Sequence, residues 1–319
     1  MSQLANLGKN FAPASANRFT LSVRGGATFF ETMTTLFKLR IVALLLFAGM
    51  GGAFLAADGW PGFGPLILMA LTGGSAAAGA SALNQYLERD TDAAMHRTRK
   101  RPLVVDAIAN PGWVLYVALG LIFLPSLAVL PFNPALTFWS LAGAAIYAGV
   151  YTIWLKPRSI LNIVIGGLAG TCAVLSGGAA VGPSIHAEGW AQPGVLILGL
   201  LLFLWTPTHF WSLALMYRQD YARIGMPMLP ARASVRQSAL WITLHAIATG
   251  FAAIALSAMV AMGWLYLFPV TLATGDLLWR CVRLVQNPTV SRARSLFLAS
   301  NIYLAIILLM ICLATTRFV

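Results

Sequence analysis

Nine apolar stretches of about 20 residues each run through this chain, the length at which a helix crosses a hydrocarbon core of roughly 30 Å. They cover 37–57, 64–87, 112–131, 134–155, 160–182, 194–216, 237–260, 263–285 and 295–315. In lipid every backbone polar group must find an internal partner, so only helices or closed barrels can span. Barrel strands would alternate in polarity, whereas these runs are long and continuous. Composition agrees: 59% of residues are hydrophobic and 9% charged, against about 25% charged in a soluble domain. The expected fold is an all-α polytopic membrane protein with nine transmembrane helices in one domain, 37–319, behind a polar tail, 1–36.

The net charge of +12 invites a nucleic-acid reading, but the positions of the charges answer it. Twenty of the 21 Lys and Arg residues lie in the stretch up to Arg40, in the connections after helices 2, 4 and 6, or around the turn between helices 8 and 9; Arg317 is the exception. The connections after helices 1, 3, 5 and 7 hold none. This is the positive-inside pattern. It predicts a cytoplasmic N-terminus and no nucleic-acid partner. The expected location is a bacterial plasma membrane rather than a mitochondrial inner membrane. The three cysteines, Cys172, Cys281 and Cys312, fall inside spans with no metal or redox spacing and read as small buried hydrophobes. One outer connection, 181–194, is richer than the rest and carries His186 and Glu188.

Against this background "ALNQYLERDTDAAMHRTRKRPL" (82–103) stands out, with three of the nine carboxylates within five residues. Asn84, Glu88 and Asp92 recur at i, i+4 and i+8 and therefore share one helix stripe. Oxygen donors of this kind suit a hard divalent cation, and Mg²⁺ prefers one or two carboxylates together with substrate phosphates. Stacked like charges repel, and the positive-inside rule gives acids no role. Asp90 lies off the stripe and is expected to pair with Arg89 or Arg97. Of the cations behind it, Arg99 and Lys100 read as topological, while Arg97 and Arg101 are placed for phosphate oxygens.

A second polar connection follows helix 6, in "FLWTPTHFWSLALMYRQDYARIGMPMLP" (203–230). Pro207 is expected to kink the helix, and His209 is an ionisable group inside a span. Asp220 and Tyr221 stand at its inner end between Arg218 and Arg223, offering a second wall to face the stripe. The two polar loops each follow the second helix of a four-helix block, which suggests an internal pseudo-repeat. Helix 4 adds Tyr147, Tyr151 and Trp154 at i, i+4 and i+7, then Lys156. The glycines of "GGLAG" (166–170) permit close helix packing, and Asp276 is expected to bridge to Arg280. Acids for a metal, cations for phosphate and apolar, aromatic walls together describe a site for an isoprenyl diphosphate.

These segments resemble the UbiA-type membrane prenyltransferases, over roughly residues 35–315. The resemblance rests on N-x-x-x-E-x-x-x-D with R-T-x-x-R-P-L (84–103), on "YTIWLK…NIVIGG" (151–167) and on "HFWSLAL…DYARIGMPMLP" (209–230). The last is most similar to the heme O synthase branch. It implies nine helices around a central cavity, with Mg²⁺–diphosphate held by Asn84, Glu88 and Asp92. Arg97, Arg101 and Lys156 would bind phosphate oxygens, with Arg218 near them. Asp220, also a metal ligand, and Tyr221 would form the second wall, Tyr147 and Tyr151 would line the substrate, and His209 would contact heme. The implied reaction joins the farnesyl group of farnesyl diphosphate to a vinyl carbon of heme b, with a downstream heme-modifying enzyme as a partner besides the lipid bilayer. The chain departs from the family pattern at 104–112, 170–178 and 205–209, all toward the acceptor. Two other readings are a different acceptor, such as an aromatic ring, and a transporter. A transporter predicts charge near the bilayer midplane, whereas the charges here cluster at helix ends.

Overall fold

The apolar runs form helices that pack into one bundle in a computed structural model describing residues 28–182, 189–260 and 262–316. Residues 1–27, His186 and Glu188 lie outside the described residues. A short helix α1 (Phe29–Leu36) precedes the bundle, opened by a reciprocal capping pair between Thr28 and Glu31. The long helices are α2 (Leu39–Ala57), α3 (Phe63–Leu87), α5 (Gly112–Val129), α6 (Pro134–Leu155), α7 (Asn162–Val181) and α8 (Pro193–Met216). After them come α11 (Val235–Val260), α12 (Gly263–Gln286) and α13 (Val290–Thr315). Short helices α4 (Arg89–Ala93), α9 (Arg218–Arg223) and α10 (Leu229–Arg232) sit in the two polar connections. Successive long helices are neighbours all the way round, α13 closes on α2, and α2 also crosses α7.

Among the described residues, eight helices are long and apolar enough to cross a membrane, not nine. The remaining one, α12, has the length, 24 residues. Its second half carries Asp276, Arg280 and Arg283, which lower its hydropathy. Asp276 does accept from Arg280, at 2.7 Å, as the i, i+4 spacing implies. Pro207 lies inside helix α8, which runs from Pro193 to Met216. Cys172 and Cys281 are buried and Cys312 is partly buried, all as free thiols.

The α2–α7 crossing depends on glycine, as is common where helices meet in lipid. A Cβ added to Gly177 would lie 1.7 Å from the Gly49 carbonyl oxygen, and one on Gly52 would lie 2.2 Å from that of Val174. Both obstacles are backbone, which cannot swing aside. Gly177→Ala is therefore expected to destabilise the protein by at least about 3 kcal/mol. The measure is the unfolding temperature and the yield of monodisperse protein in detergent, compared with Gly275→Ala, where a Cβ meets open space.

Candidate active site

Helix α3 ends where the polar stripe begins. Its C-cap is Glu88, and the chain re-enters helix at Arg89, with the Asp92 amide donating to the Glu88 carbonyl at 2.7 Å. The stripe survives this break. Asn84, Glu88 and Asp92 are all buried, at 2%, 7% and 4% exposure, whereas Asp90 beside them is exposed and paired with Arg89. Burying carboxylates is costly unless they are paired, and here each has a cation. Lys156 Nζ lies 2.5 and 2.6 Å from the two oxygens of Glu88, and Arg101 donates to Asp92 Oδ2. Lys38 donates to Asn84 Oδ1 at 2.6 Å, and the Asn84 amide donates to Thr152.

Residues 94–105 reach this arrangement through a run of tight turns. Thr98 donates to the Asp92 carbonyl and stays buried, while its amide and that of Arg99 bond back to Met95. The turns point Arg97 and Arg101 inward and leave Arg99 and Lys100 exposed. The last residue of the motif, Leu103, is buried in a small core with Leu36 and Val114.

Opposite the stripe, the end of α6 is wound as a π-helix from Ile146 to Leu155, a form often found at functional sites. Its i→i+5 bonding packs more residues into each turn, so each step turns through less than in an α-helix. Tyr147 and Tyr151 consequently stay together, stacked with ring centroids 5.7 Å apart. By the seventh residue the stripe has rotated away, and Trp154 is 59% exposed. The aromatic series expected from the sequence is thus two tyrosines facing the site and a tryptophan facing out. The Tyr147 hydroxyl accepts from Lys38 at 3.0 Å, and Lys156 lies over the Tyr151 ring at 5.6 Å. Gly166 makes room for that ring: a Cβ there would come within 2.8 Å of it.

The second polar connection folds against the first, but its adjacent residues Asp220 and Tyr221 face different partners. Tyr221 is buried and its hydroxyl accepts from Arg97 at 3.5 Å, turning it toward the cluster. Burial pushes its phenol up. Asp220 instead accepts from the backbone amide of His96 at 3.1 Å and from Arg223 at 3.3 Å, and Arg223 also donates to the Ala94 carbonyl. Asp220 is not brought to Asn84, Glu88 and Asp92 here; it ties the two loops together. Arg218 likewise holds its own loop, donating to the carbonyls of Pro230 and Ala233. His209 is stacked between Trp205 and Phe297, with Nδ1 2.9 Å from the Ser300 hydroxyl, and so faces α13. Asp220→Asn, which keeps an acceptor for the His96 amide, is expected to cost less than tenfold in turnover. Steady-state assay beside Asp92→Asn checks the contrast.

Three further polar residues complete the site and escaped the sequence reading. Lys38 follows α1 with φ 49° and ψ 48°, a left-handed turn that drops its side chain between Asn84 and Tyr147. Burial, aided by the neighbouring Arg101 charge, lowers its ammonium to about 7. Gln85 anchors α1 by donating to the Thr35 and Leu36 carbonyls, and Thr152 links Asn84 to the Tyr147 carbonyl. No acidic or histidine signature marks any of the three.

Four cations, Lys38, Arg97, Arg101 and Lys156, thus surround two carboxylates. Burial also lowers Lys156, against the pull of Glu88. The side-chain Nε of Arg97 is buried with no partner. A surplus of desolvated cations with an unused donor is suited to a polyanion. Among the described residues no three His, Cys, Asp or Glu side chains converge to hold a metal by themselves. Two buried carboxylates and an amide oxygen nonetheless fit Mg²⁺, which takes one or two carboxylates and completes its shell with water and substrate phosphate.

The chain matches the UbiA prenyltransferase family over residues 44–312. It is 41% identical over 278 residues to a protoheme IX farnesyltransferase of Metallosphaera sedula, covering 86% of this chain and 93% of that one. A second, protoheme IX farnesyltransferase 2 of Paramagnetospirillum magneticum, is 39% identical over 279 residues, covering 87% and 94%. A third, from Thermus thermophilus, is 38% identical over 292 residues, or 89% of this chain, which spans about half of that relative's length. Among solved structures, a digeranylgeranylglyceryl phosphate synthase superposes with a TM-score of 0.73 at 16% identity, covering 91% of this chain and 99% of that one. A UbiA homolog from Archaeoglobus fulgidus bound to DMAPP and Mg²⁺ superposes with 0.58 at 15%, covering 90% and 100%. These likenesses carry the fold, and with the family match they make the chain an integral membrane protein. It belongs to the UbiA prenyltransferase family.

Proposed function

We propose that this protein transfers the farnesyl group of farnesyl diphosphate to a vinyl carbon of heme b, forming heme O. The observation that carries the chemistry is the buried cluster of two carboxylates and four cations beside a tyrosine pair. The names of the relatives support heme as the acceptor. The substrate loses its diphosphate as the bond from farnesyl C1 to oxygen breaks, and C1 bonds to the terminal vinyl carbon. The cation left on the inner vinyl carbon takes up water and releases a proton.

Each residue has a part in this. Asn84, Glu88 and Asp92 would hold Mg²⁺ together with the diphosphate. The metal, when bound, neutralises charge developing on the leaving diphosphate. With the metal held there, Lys156 and Arg101, now paired with Glu88 and Asp92, would be placed to bind phosphate oxygens. Arg97 and Lys38 supply further donors. Tyr147 and Tyr151 present aromatic faces to the allylic cation, and the apolar surroundings restrict water to the final step. We place the site at the cytoplasmic face of a bacterial plasma membrane, since the basic connections share its end of the bundle. The test is product analysis by mass spectrometry after incubating purified protein with farnesyl diphosphate, Mg²⁺ and either heme b or a phenolic acid. A hydroxyethylfarnesyl heme is the expected product; a farnesylated phenol with unchanged heme would replace this acceptor.

A further inference from the structure

Helix α12 is less apolar than the eight candidate spans because of charges in its second half, and two of these, Asp276 and Arg280, open onto a groove between α12 and α13. The open groove offers about 770 Å³, within the usual range of small-molecule sites. Its rim carries Asp276, Arg280, Ser291, Arg294 and Ser295, while its floor runs along Leu272, Leu298 and Ile302. Those three residues are 60%, 50% and 61% exposed and so are open to the surroundings of the bundle. Arg280 is held in place from both helices: its Nε donates to Asp276 at 2.7 Å and its NH1 to the Ser295 hydroxyl at 2.5 Å. Arg294 has no side-chain partner among the described residues and is exposed.

The rim lies at the same end of the bundle as the candidate active site. Pro288 and Thr289, in the turn joining α12 to α13, and Val290 at the start of α13 share a second cavity with His96 and Asp220. The groove is nevertheless separate: neither Arg280 nor Arg294 bonds to any member of the cluster around Glu88 and Asp92. Its charges sum to one positive, two arginines against Asp276. Charge at a lipid-facing surface is expensive unless it is answered, and basic pockets between spans are answered by anionic headgroups.

We propose that this groove binds one anionic phospholipid, its phosphate at Arg294 and Arg280 and an acyl chain along Leu272, Leu298 and Ile302. The charge balance of the rim argues for an anionic over a zwitterionic head, and the exposed apolar floor argues for a lipid over a soluble phosphate. The site stands independently of which acceptor the enzyme prenylates.

The experiment is native mass spectrometry of the full-length protein in detergent, titrated with phosphatidylglycerol or phosphatidylcholine, with heme followed by absorbance. Wild-type protein is expected to retain one phosphatidylglycerol in preference to phosphatidylcholine. Arg294→Gln, at an exposed and unpaired position, should weaken that retention about fivefold, the effect of one basic residue at a lipid surface. Asp276→Asn keeps an acceptor for Arg280 but removes the opposing charge, so it should strengthen retention, a gain that mere loss of structure would not produce. Equal retention of the two lipids, or an Arg294→Gln protein that binds phosphatidylglycerol like wild type, would overturn the proposal. So would loss of bound heme instead of lipid in Arg294→Gln, which would assign the groove to the acceptor.

Discussion

Asp92→Asn and Glu88→Gln are each expected to lower Mg²⁺-dependent diphosphate release by about 10²–10³-fold, the scale of removing one group that stabilises developing charge. The substituted side chains matter. Each carboxylate is buried and paired, Glu88 with Lys156 and Asp92 with Arg101. Truncating one partner of such a pair leaves an uncompensated charge and costs about 3–5 kcal/mol, so alanine would confuse lost folding with lost chemistry. The amides keep the volume and an acceptor oxygen for the cation while removing the negative charge that a metal requires. The assay is release of diphosphate from farnesyl diphosphate across a Mg²⁺ series, with unfolding temperature as the control. Turnover near wild type in both variants would refute the role assigned to this stripe.

Lys38 should make substrate binding depend on pH near neutrality. Its ammonium is lowered to about 7 by burial and by Arg101, so the site alone gains a positive charge as pH falls through 7. A diphosphate prefers the charged form, and binding it draws a proton onto the lysine. The sign follows: KM for farnesyl diphosphate is expected to rise as pH increases above about 7 and to level off below it. In Lys38→Met that slope should disappear, with KM raised about tenfold at pH 6.5, as for loss of one charge-assisted hydrogen bond. Initial rates from pH 6 to 9 check both statements, and an unchanged slope in Lys38→Met would remove the lysine from the site.

Much of this arrangement was legible because hydropathy and helical spacing are local properties. The spans follow from runs that cannot be anything but helix in lipid, and the Asn84–Glu88–Asp92 stripe follows from spacing alone, surviving the break at Glu88. Length and overall apolarity suggest a ninth span, whereas the charges in the second half of α12 set it apart from the eight. The π-winding of Ile146–Leu155 was invisible and decided that Trp154 leaves the aromatic stripe. Asp220 and Tyr221 illustrate a second limit. Adjacent residues on a helix point about 100° apart, so a motif naming both leaves open which one enters the site. Lys38 lay beyond reach for a third reason: in sequence it is one more basic residue at the start of a span, and only its left-handed backbone turns it inward.

Mg²⁺ and a prenyl diphosphate are proposed to share one site, built from the buried stripe and its cations. Calorimetric binding of a non-reactive farnesyl diphosphate analogue, with and without Mg²⁺, separates a shared site from independent ones. Mg²⁺ should tighten binding to wild-type protein at least tenfold, on the scale of a coupling of about 1.4 kcal/mol, and should have no effect in Asp92→Asn. Equal affinity with and without the metal in wild-type protein, or the same tightening in Asp92→Asn, would contradict it.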